Sequence, residues 1–499
     1  MKILLIDPPG WQKGGVNLGL GYLASSLCQV KHEVKIIDLN NNFCCDPIDD
    51  IVKSFTPDII GYSVKTATAN STASISNRIK ERFPKVLQIA GGPHISICYE
   101  KFLKANRQIK FAFIGEGEHS LVNFLELWSK GVSIQKVKGI AFYQNDNLTV
   151  NKREINSTLD KLPFPRLDLI EDINFSQFPY PLVTSRGCPY DCVFCCVGII
   201  SSKKWRYRSP QNVVSELEEA KKRYRIKRFE ILDDNFTLNL NRAKEICRIL
   251  IKKKIGLSWQ CHNGIRADKI DEELAYLMKK AGCVSIALGI ETGDEDIFRN
   301  IGKGETLQDI KRAAKLIKNA GMELIGYFII GLPGDNLRTI KKTIEFQKTL
   351  ALDWFVYGIM VPYPGTKMWD YVRKEGKILL DITDVSHFSD ELKIPFETPG
   401  FTASERKQAY ELTKNLEKFY RPKIKQLIIN YIRNEPLDST AVEERQKNQE
   451  KSNRFYINAV VQAGIRSGLV VVAWSILAFI LLAVQFRKIS NFCFRRSNK

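Results

Sequence analysis

The chain has 499 residues, 44% hydrophobic and 26% charged, which excludes wholesale disorder and gives enough length for two to four folded domains. Its 31 glycines and 19 prolines are too few for a collagen-like or low-complexity chain. The net charge of +20 admits an anionic partner, yet eight Lys/Arg and no acid lie beyond residue 450, and no recognisable nucleic-acid module precedes them, so no nucleic-acid partner is expected.

The first residues, Met1 to Asp7, carry too short an apolar run for a signal peptide and read as a strand, so the catalytic part of the chain is expected in the cytoplasm. Short apolar runs at 2–7, 33–39, 59–64, 87–90 and 111–115 alternate with helical patterns such as Leu20, Leu23, Ala24 and Leu27, then Ile75, Ile79 and Phe83. That alternation predicts a doubly wound α/β domain of Rossmann or flavodoxin type over residues 1–150, with ligands outside the carboxyl ends of its strands. Glycine turns fall at those ends, at Gly10, Gly91-Gly92 and Gly115-Glu116. Runs at 139–143 and 148–151 predict a small hairpin after the sheet. Residues 151–181 carry prolines and little periodicity and read as a linker laid over the surface.

A second alternating region follows over 182–375, with strands expected at 182–185, 228–232, 257–260, 284–289, 324–330 and 355–361. Ser209-Pro210 marks a helix start, with Val213, Leu217, Ala220 and Tyr224 on one face. Thr306 and Asp309 have the spacing of a capping box, with Ile310, Ala314 and Ile317 inward and Gly321 as the stop. Six such units predict a partial (β/α)6 TIM-type barrel, whose chemistry belongs at the carboxyl ends of its strands. Residues 376–434 read as a helical extension, 435–454 as a charged tether, and 455–499 as a basic segment. Within it 468–486 is uncharged and just long enough to span a bilayer, which predicts membrane association through the C-terminal helix.

Twelve cysteines in a chain without an export signal are more readily ligands, redox groups or small core residues than disulfides. Cys188, Cys192 and Cys195 stand at i, i+4 and i+7 just after the first strand of the second region. Three thiolates on one loop can converge on a metal cluster and leave one iron of a 4Fe-4S cubane open. A structural zinc site is the plain alternative, but zinc takes four ligands and no second Cys/His pair stands at finger spacing. The adjacent Cys196 diverges from Cys195.

The run Cys188-Pro-Tyr-Asp-Cys192-Val-Phe194-Cys195 resembles the signature of radical S-adenosylmethionine (SAM) enzymes, including the aromatic Phe194 before the third cysteine. The region in front, with Asn17-Leu-Gly19-Leu-Gly21, Gly91-Gly92-Pro93-His94 and Gly115-Glu116-Gly117-Glu118, resembles a cobalamin-binding domain. Together they have the layout of cobalamin (vitamin B12)-binding radical SAM proteins. The resemblance implies a 4Fe-4S cluster held by Cys188, Cys192 and Cys195, catalytic through reductive cleavage of SAM to a 5′-deoxyadenosyl radical that activates an unreactive carbon. It implies SAM contacts from Phe194, the Asp233-Asp234-Asn235 turn, Arg266, Glu291, Gly331 and Pro333. The turn departs from the family's more usual Gly-Gly-Glu. It implies cobalamin contacts at Gly10, Gly19, Gly91, Gly92, Gly115 and Glu116, with Tyr62 to Thr66 lining the nucleotide tail. The histidine motif that supplies a lower cobalt ligand elsewhere is missing, and His94 reads as a loop histidine. The implied function is methyl transfer or rearrangement on a small-molecule or lipid-like substrate, with an external low-potential electron donor. Two alternatives stay open. One is a methylthiotransferase with a second cluster on Cys28, Cys44, Cys45 and Cys98; the other is a non-catalytic Fe-S or cobalamin sensor at the membrane.

Overall fold

The structure, a computed structural model, describes residues 1–10, 15–41, 47–171, 173–176, 178–381 and 392–416. Its first sheet holds seven strands: β1 (Lys2–Asp7), β2 (Glu33–Asp38), β3 (Ile59–Ser63), β4 (Leu87–Gly91), β5 (Ile109–Phe113), β6 (Ile140–Gln144) and β7 (Asn147–Val150). They run in the order β2-β1-β3-β4-β5-β6-β7. The first five are parallel and the last two antiparallel. Helices α1 (Leu18–Gln29), α2 (Ile48–Phe55), α3 (Ala69–Arg82), α4 (Pro93–Ala105) and α5 (Glu118–Ser129) fill the crossovers.

β1 is buried on both faces, as a central parallel strand must be. Ile3 and Leu5 pack with Leu20, Ala24 and Leu27 of α1, whereas Leu4 and Ile6 pack with Ile51, Val52 and Ile79. The expected hairpin does not stand apart. β6 pairs with β5, so β6 and β7 extend the same sheet, through a two-residue turn in which Asn145 and Asp146 both have positive φ. The linker also differs from expectation. Leu159, Leu162, Leu167, Ile170 and Phe175 are buried, and Leu167 sits against Gly21, where a Cβ on α1 would collide with it. Apolar side chains spaced without a period thus become a seam under α1 rather than a surface strap.

The second sheet contains β8 (Tyr180–Leu182), β11 (Arg228–Ile231), β12 (Ser258–Cys261), β13 (Cys283–Glu291), β14 (Glu323–Ile330) and β15 (Trp354–Ile359), all parallel in the order β15-β14-β13-β12-β11-β8. Between β8 and β11 lies a short antiparallel pair, β9 (Ser185–Arg186) and β10 (Arg206–Tyr207). β8 and β15 are not paired to each other, so the sheet is an open partial barrel with its helices outside. The first strand begins two residues earlier than the pattern suggested. Pro181, which lacks an N–H, is tolerated there because β8 is an edge.

Ser209 caps its helix by accepting from Asn212 N, and Thr306 with Asp309 forms the capping box. Of the expected helical extension 376–434, residues 403–416 are helical, but Lys377–Ile378 and Phe396–Glu397 pair as a short antiparallel ribbon instead; 417–434, the tether and the apolar segment 468–486 lie outside the described residues. Among the described residues no helix is long and apolar enough to cross a membrane.

Candidate active site

The three signature cysteines lie on the loop that β9 and β10 close at its base, and the short helix α6 (Val197–Ile200) ends the motif. Gly187 opens this loop at φ +84, where a Cβ would meet Lys204 O at 2.6 Å and Ser202 O at 2.8 Å. Cys195 N donates to Cys192 O at 3.0 Å, and Val193 N to Ile301 O at 2.9 Å, so the loop is turned back on itself and tied to the segment before Gly302. Phe194 packs half-buried against the cluster of Ile297, Ile301, Leu332 and Met360. Burial pushes the Cys192 thiol up to about 11 and Cys195 to about 12, with the neighbouring cysteines adding to the rise. Lys303 and Arg266 act on Cys192 in the opposite sense.

Asp233, Asp234 and Asn235 follow β11 and grip that loop's stem. Asp233 accepts from Thr184 N, Thr184 Oγ1 and Ser185 Oγ, each at 2.6 Å. Asp234 accepts from Gly187 N at 2.8 Å. Asn235 Nδ2 donates to Cys188 Sγ at 3.7 Å.

Opposite lies a charged cluster that sequence reasoning met only in part. Glu291, at φ +65, pairs with Lys303 Nζ at 3.2 Å. Lys303 also pairs with Glu305 at 3.3 Å and donates to Gly289 O. Burial alone would lower the Lys303 ammonium, but the two carboxylates hold it above its ordinary range. Arg266 donates to Asp268 at 2.9 Å and Lys303 O at 2.7 Å, and its guanidinium lies 3.5 Å from the ring centre of Tyr190 in the cysteine loop. Its Nη2 is buried without a hydrogen-bond partner. Lys303 and Tyr190 were not legible as site residues, since only the fold brings them to Glu291 and Arg266. Gly331 has φ +105, and the buried Arg406 guanidinium occupies the space of its Cβ; Pro333 is half-buried in the same turn.

At the carboxyl ends of the first sheet, Gly10 N donates to Asn40 Oδ1 at 2.9 Å, and a Cβ there would meet Thr68 Cγ2 at 2.9 Å. Gly92, at φ +100, lies so close to Val64 that a Cβ would meet its backbone N and O within 2.9 Å. Gly91 is half-buried beside it, and Gly19 is exposed in the first turn of α1. Tyr62 is wholly inside, its hydroxyl donating to Gln88 at 2.7 Å. His94 belongs to the first turn of α4 rather than a loop, bonded to Thr66 Oγ1 at 3.3 Å, and burial holds its ring down to about 4.

Gly115 and Glu116 reach the second half of the chain. A Cβ at Gly115 would come within 3.6 Å of Ile200 O at the end of α6. Glu116 is bidentate to Arg206 at 2.6 and 2.9 Å, Glu118 binds Arg186 at 2.7 Å, and all four side chains are at most 15% exposed. Arg153 donates to the carbonyls of Gly198, Ile199 and Ile200. The carboxyl end of β5 therefore sits directly on the cysteine loop.

The Radical SAM superfamily profile matches residues 182–346, and the B12 binding domain profile matches 14–125. An uncharacterised methyltransferase of Pyrococcus horikoshii is 34% identical over 391 residues, covering 76% of this chain and 84% of the relative. The chain belongs to the cobalamin-binding radical SAM family. It is also 30% identical over 445 residues to cytidylyl-2-hydroxyethylphosphonate methyltransferase of Streptomyces wedmorensis, covering 75% of this chain and 82% of that one. The fold matches the radical SAM methyltransferase TsrM of Kitasatospora setae, solved with cobalamin and a [4Fe-4S] cluster, at a TM-score of 0.65 and 18% identity over 74% of this chain and 76% of that chain. The chain is a cobalamin-dependent radical SAM enzyme whose cofactors are a 4Fe-4S cluster, SAM and cobalamin.

The residues present fit these groups. The thiols of Cys188, Cys192 and Cys195 lie near enough on one loop to act on one another, yet among the described residues no three Cys, His, Asp or Glu side chains converge on a single ion. A cubane needs no such convergence, because each thiolate binds a different iron. Raised thiol pKa values mean that Cys192 and Cys195 stay protonated until a cationic cluster displaces the protons.

Proposed function

We propose that the enzyme methylates an unreactive carbon of a small molecule, with Cys188, Cys192 and Cys195 holding the cluster. The observation that carries this reading is the seating of Gly115 and Glu116, at the carboxyl end of β5 in the B12 binding domain, on α6 and Arg206 beside the cysteine loop. When bound, the cluster and SAM supply a hydrogen-abstracting radical, and cobalamin carries a transferable methyl group.

The chain's own groups bind and orient. Arg266 offers its buried, unpartnered Nη2 to the SAM carboxylate, and guanidinium matches that anion. Glu291, held by Lys303 in a left-handed backbone conformation, presents a carboxylate to the ribose hydroxyls. Phe194, with Leu332 and Met360 behind it, keeps water from that side. Beyond them, on the strand faces opposite the helix-packed residues, Glu230, Gln260, His262 and Ser285 form a polar layer. His262 Nε2 lies 3.0 Å from Ser285 Oγ, and Nδ1 3.5 Å from Glu230. Burial raises Glu230 and lowers His262. Tyr327 stands near Glu230, and a substrate with a hydrogen-bonding head group fits this wall. A lipid-like tail on that substrate, and membrane attachment through 468–486, rest on the sequence of the C-terminal segment.

The test is anaerobic assembly with iron, sulfide and cobalamin, followed by 5′-deoxyadenosine and transfer of labelled methyl from SAM to amphipathic candidates. About four irons per chain, lost in C188A, C192A and C195A, support the assignment; about eight would favour the methylthiotransferase reading. Deoxyadenosine formation without methyl transfer would overturn it. Truncation before 455 abolishes vesicle binding if the tail is the anchor.

A further inference from the structure

We infer that Asn235 is a positioning residue that sets the reduction potential of the cluster through an N–H···S hydrogen bond to Cys188. The inference rests on Cys188 being a cluster ligand and goes beyond it. In the turn Asp233-Asp234-Asn235 the carboxylates are spent on Thr184, Ser185 and Gly187, which shape the stem of the cysteine loop. Asn235 alone reaches a sulfur, at 3.7 Å from Cys188 Sγ.

The residue is 1% exposed, and its backbone carbonyl accepts from Trp205 Nε1 at 2.9 Å. With the backbone held there and the residue buried, the amide has little room to swing away. Its Oδ1 is buried and accepts nothing within the protein. A buried amide oxygen left bare costs stability, so whatever the group is used for lies at its N–H end. The sulfur is that use.

A donor to a ligating thiolate stabilises the more negative, reduced cluster over the oxidised one, and hydrogen bonds to sulfur are among the levers that set such potentials. Removing the donor makes reduction harder. The expected change is about tenfold in the one-electron equilibrium, which is about 59 mV more negative.

The experiment is a redox titration of the assembled, full-length enzyme, followed by the paramagnetic signal of the reduced cluster, with iron counted in the same samples. Asn235→Leu removes the donor, and Asn235→Asp keeps the shape while replacing the N–H by a carboxylate. Thr184→Val is the control for a merely structural grip, because Thr184 Oγ1 bonds Asp233 in the same stem, touches no sulfur, and its loss changes no charge. Wild-type iron content with a potential shifted negative in N235L and further in N235D, but unmoved in T184V, supports the inference. An unchanged potential in an iron-replete N235L or N235D overturns it. So does failure of both variants to hold iron, which would make Asn235 a residue of loop assembly. A wild-type enzyme without iron on this loop would instead sink the ligand assignment itself.

Discussion

The cysteine loop depends on one backbone conformation. Gly187 has positive φ and no space for a Cβ between the carbonyls of Ser202 and Lys204, so an alanine there must open the β9–β10 closure. Gly187→Ala is expected to cost about 1–3 kcal/mol in the loop and to lower iron occupancy severalfold, measured by iron content after reconstitution, while cobalamin binding to the first sheet weakens but is not lost. His94 gives a prediction with a sign. Burial, with Lys101 adding and Asp381 opposing, holds its ring down to about 4, against an ordinary 6.5. The unfolded chain therefore takes up the proton first as pH falls. Stability from this group is complete above about 6.5 and is lost as pH falls toward about 4, by up to about 3 kcal/mol. Urea unfolding at pH 7 and pH 5 should show that loss, and His94→Gln should flatten it.

At the scale of elements, the strands and helices were legible because central parallel strands bury both faces and write continuous apolar runs, as Leu4, Leu5 and Ile6 do in β1. The cysteine loop was legible for a different reason, its ligands being local in sequence. What stayed hidden are partnerships made only by folding. Glu116 looks like a turn carboxylate until Arg206, ninety positions on, closes on it. Lys303 has no motif of its own and gains meaning from Glu291 and Glu305. The quartet of Glu116, Glu118, Arg186 and Arg206 is nearly dry, so removing one partner strands a buried charge. Arg206→Met should therefore destabilise the enzyme by about 3–5 kcal/mol, read by thermal or urea unfolding. The double variant Arg206→Met with Glu116→Gln should recover part of that loss.

At the scale of the whole molecule, two sheets of ordinary design meet at a short helix. Arg153, just beyond the hairpin of the first sheet, donates to three successive carbonyls at the end of α6, the helix that concludes the cysteine motif. Whatever orders α6 is therefore sensed by the vitamin-binding half, and the reverse. By linkage, whatever factor one occupancy exerts on the other is returned in equal measure. Iron-loaded enzyme is expected to bind cobalamin several-fold more tightly than enzyme stripped of iron, by equilibrium titration, and Arg153→Met should erase the difference. A cell short of iron would then load less of this enzyme with its corrinoid as well, so that scarcity of one metal eases the demand for the other.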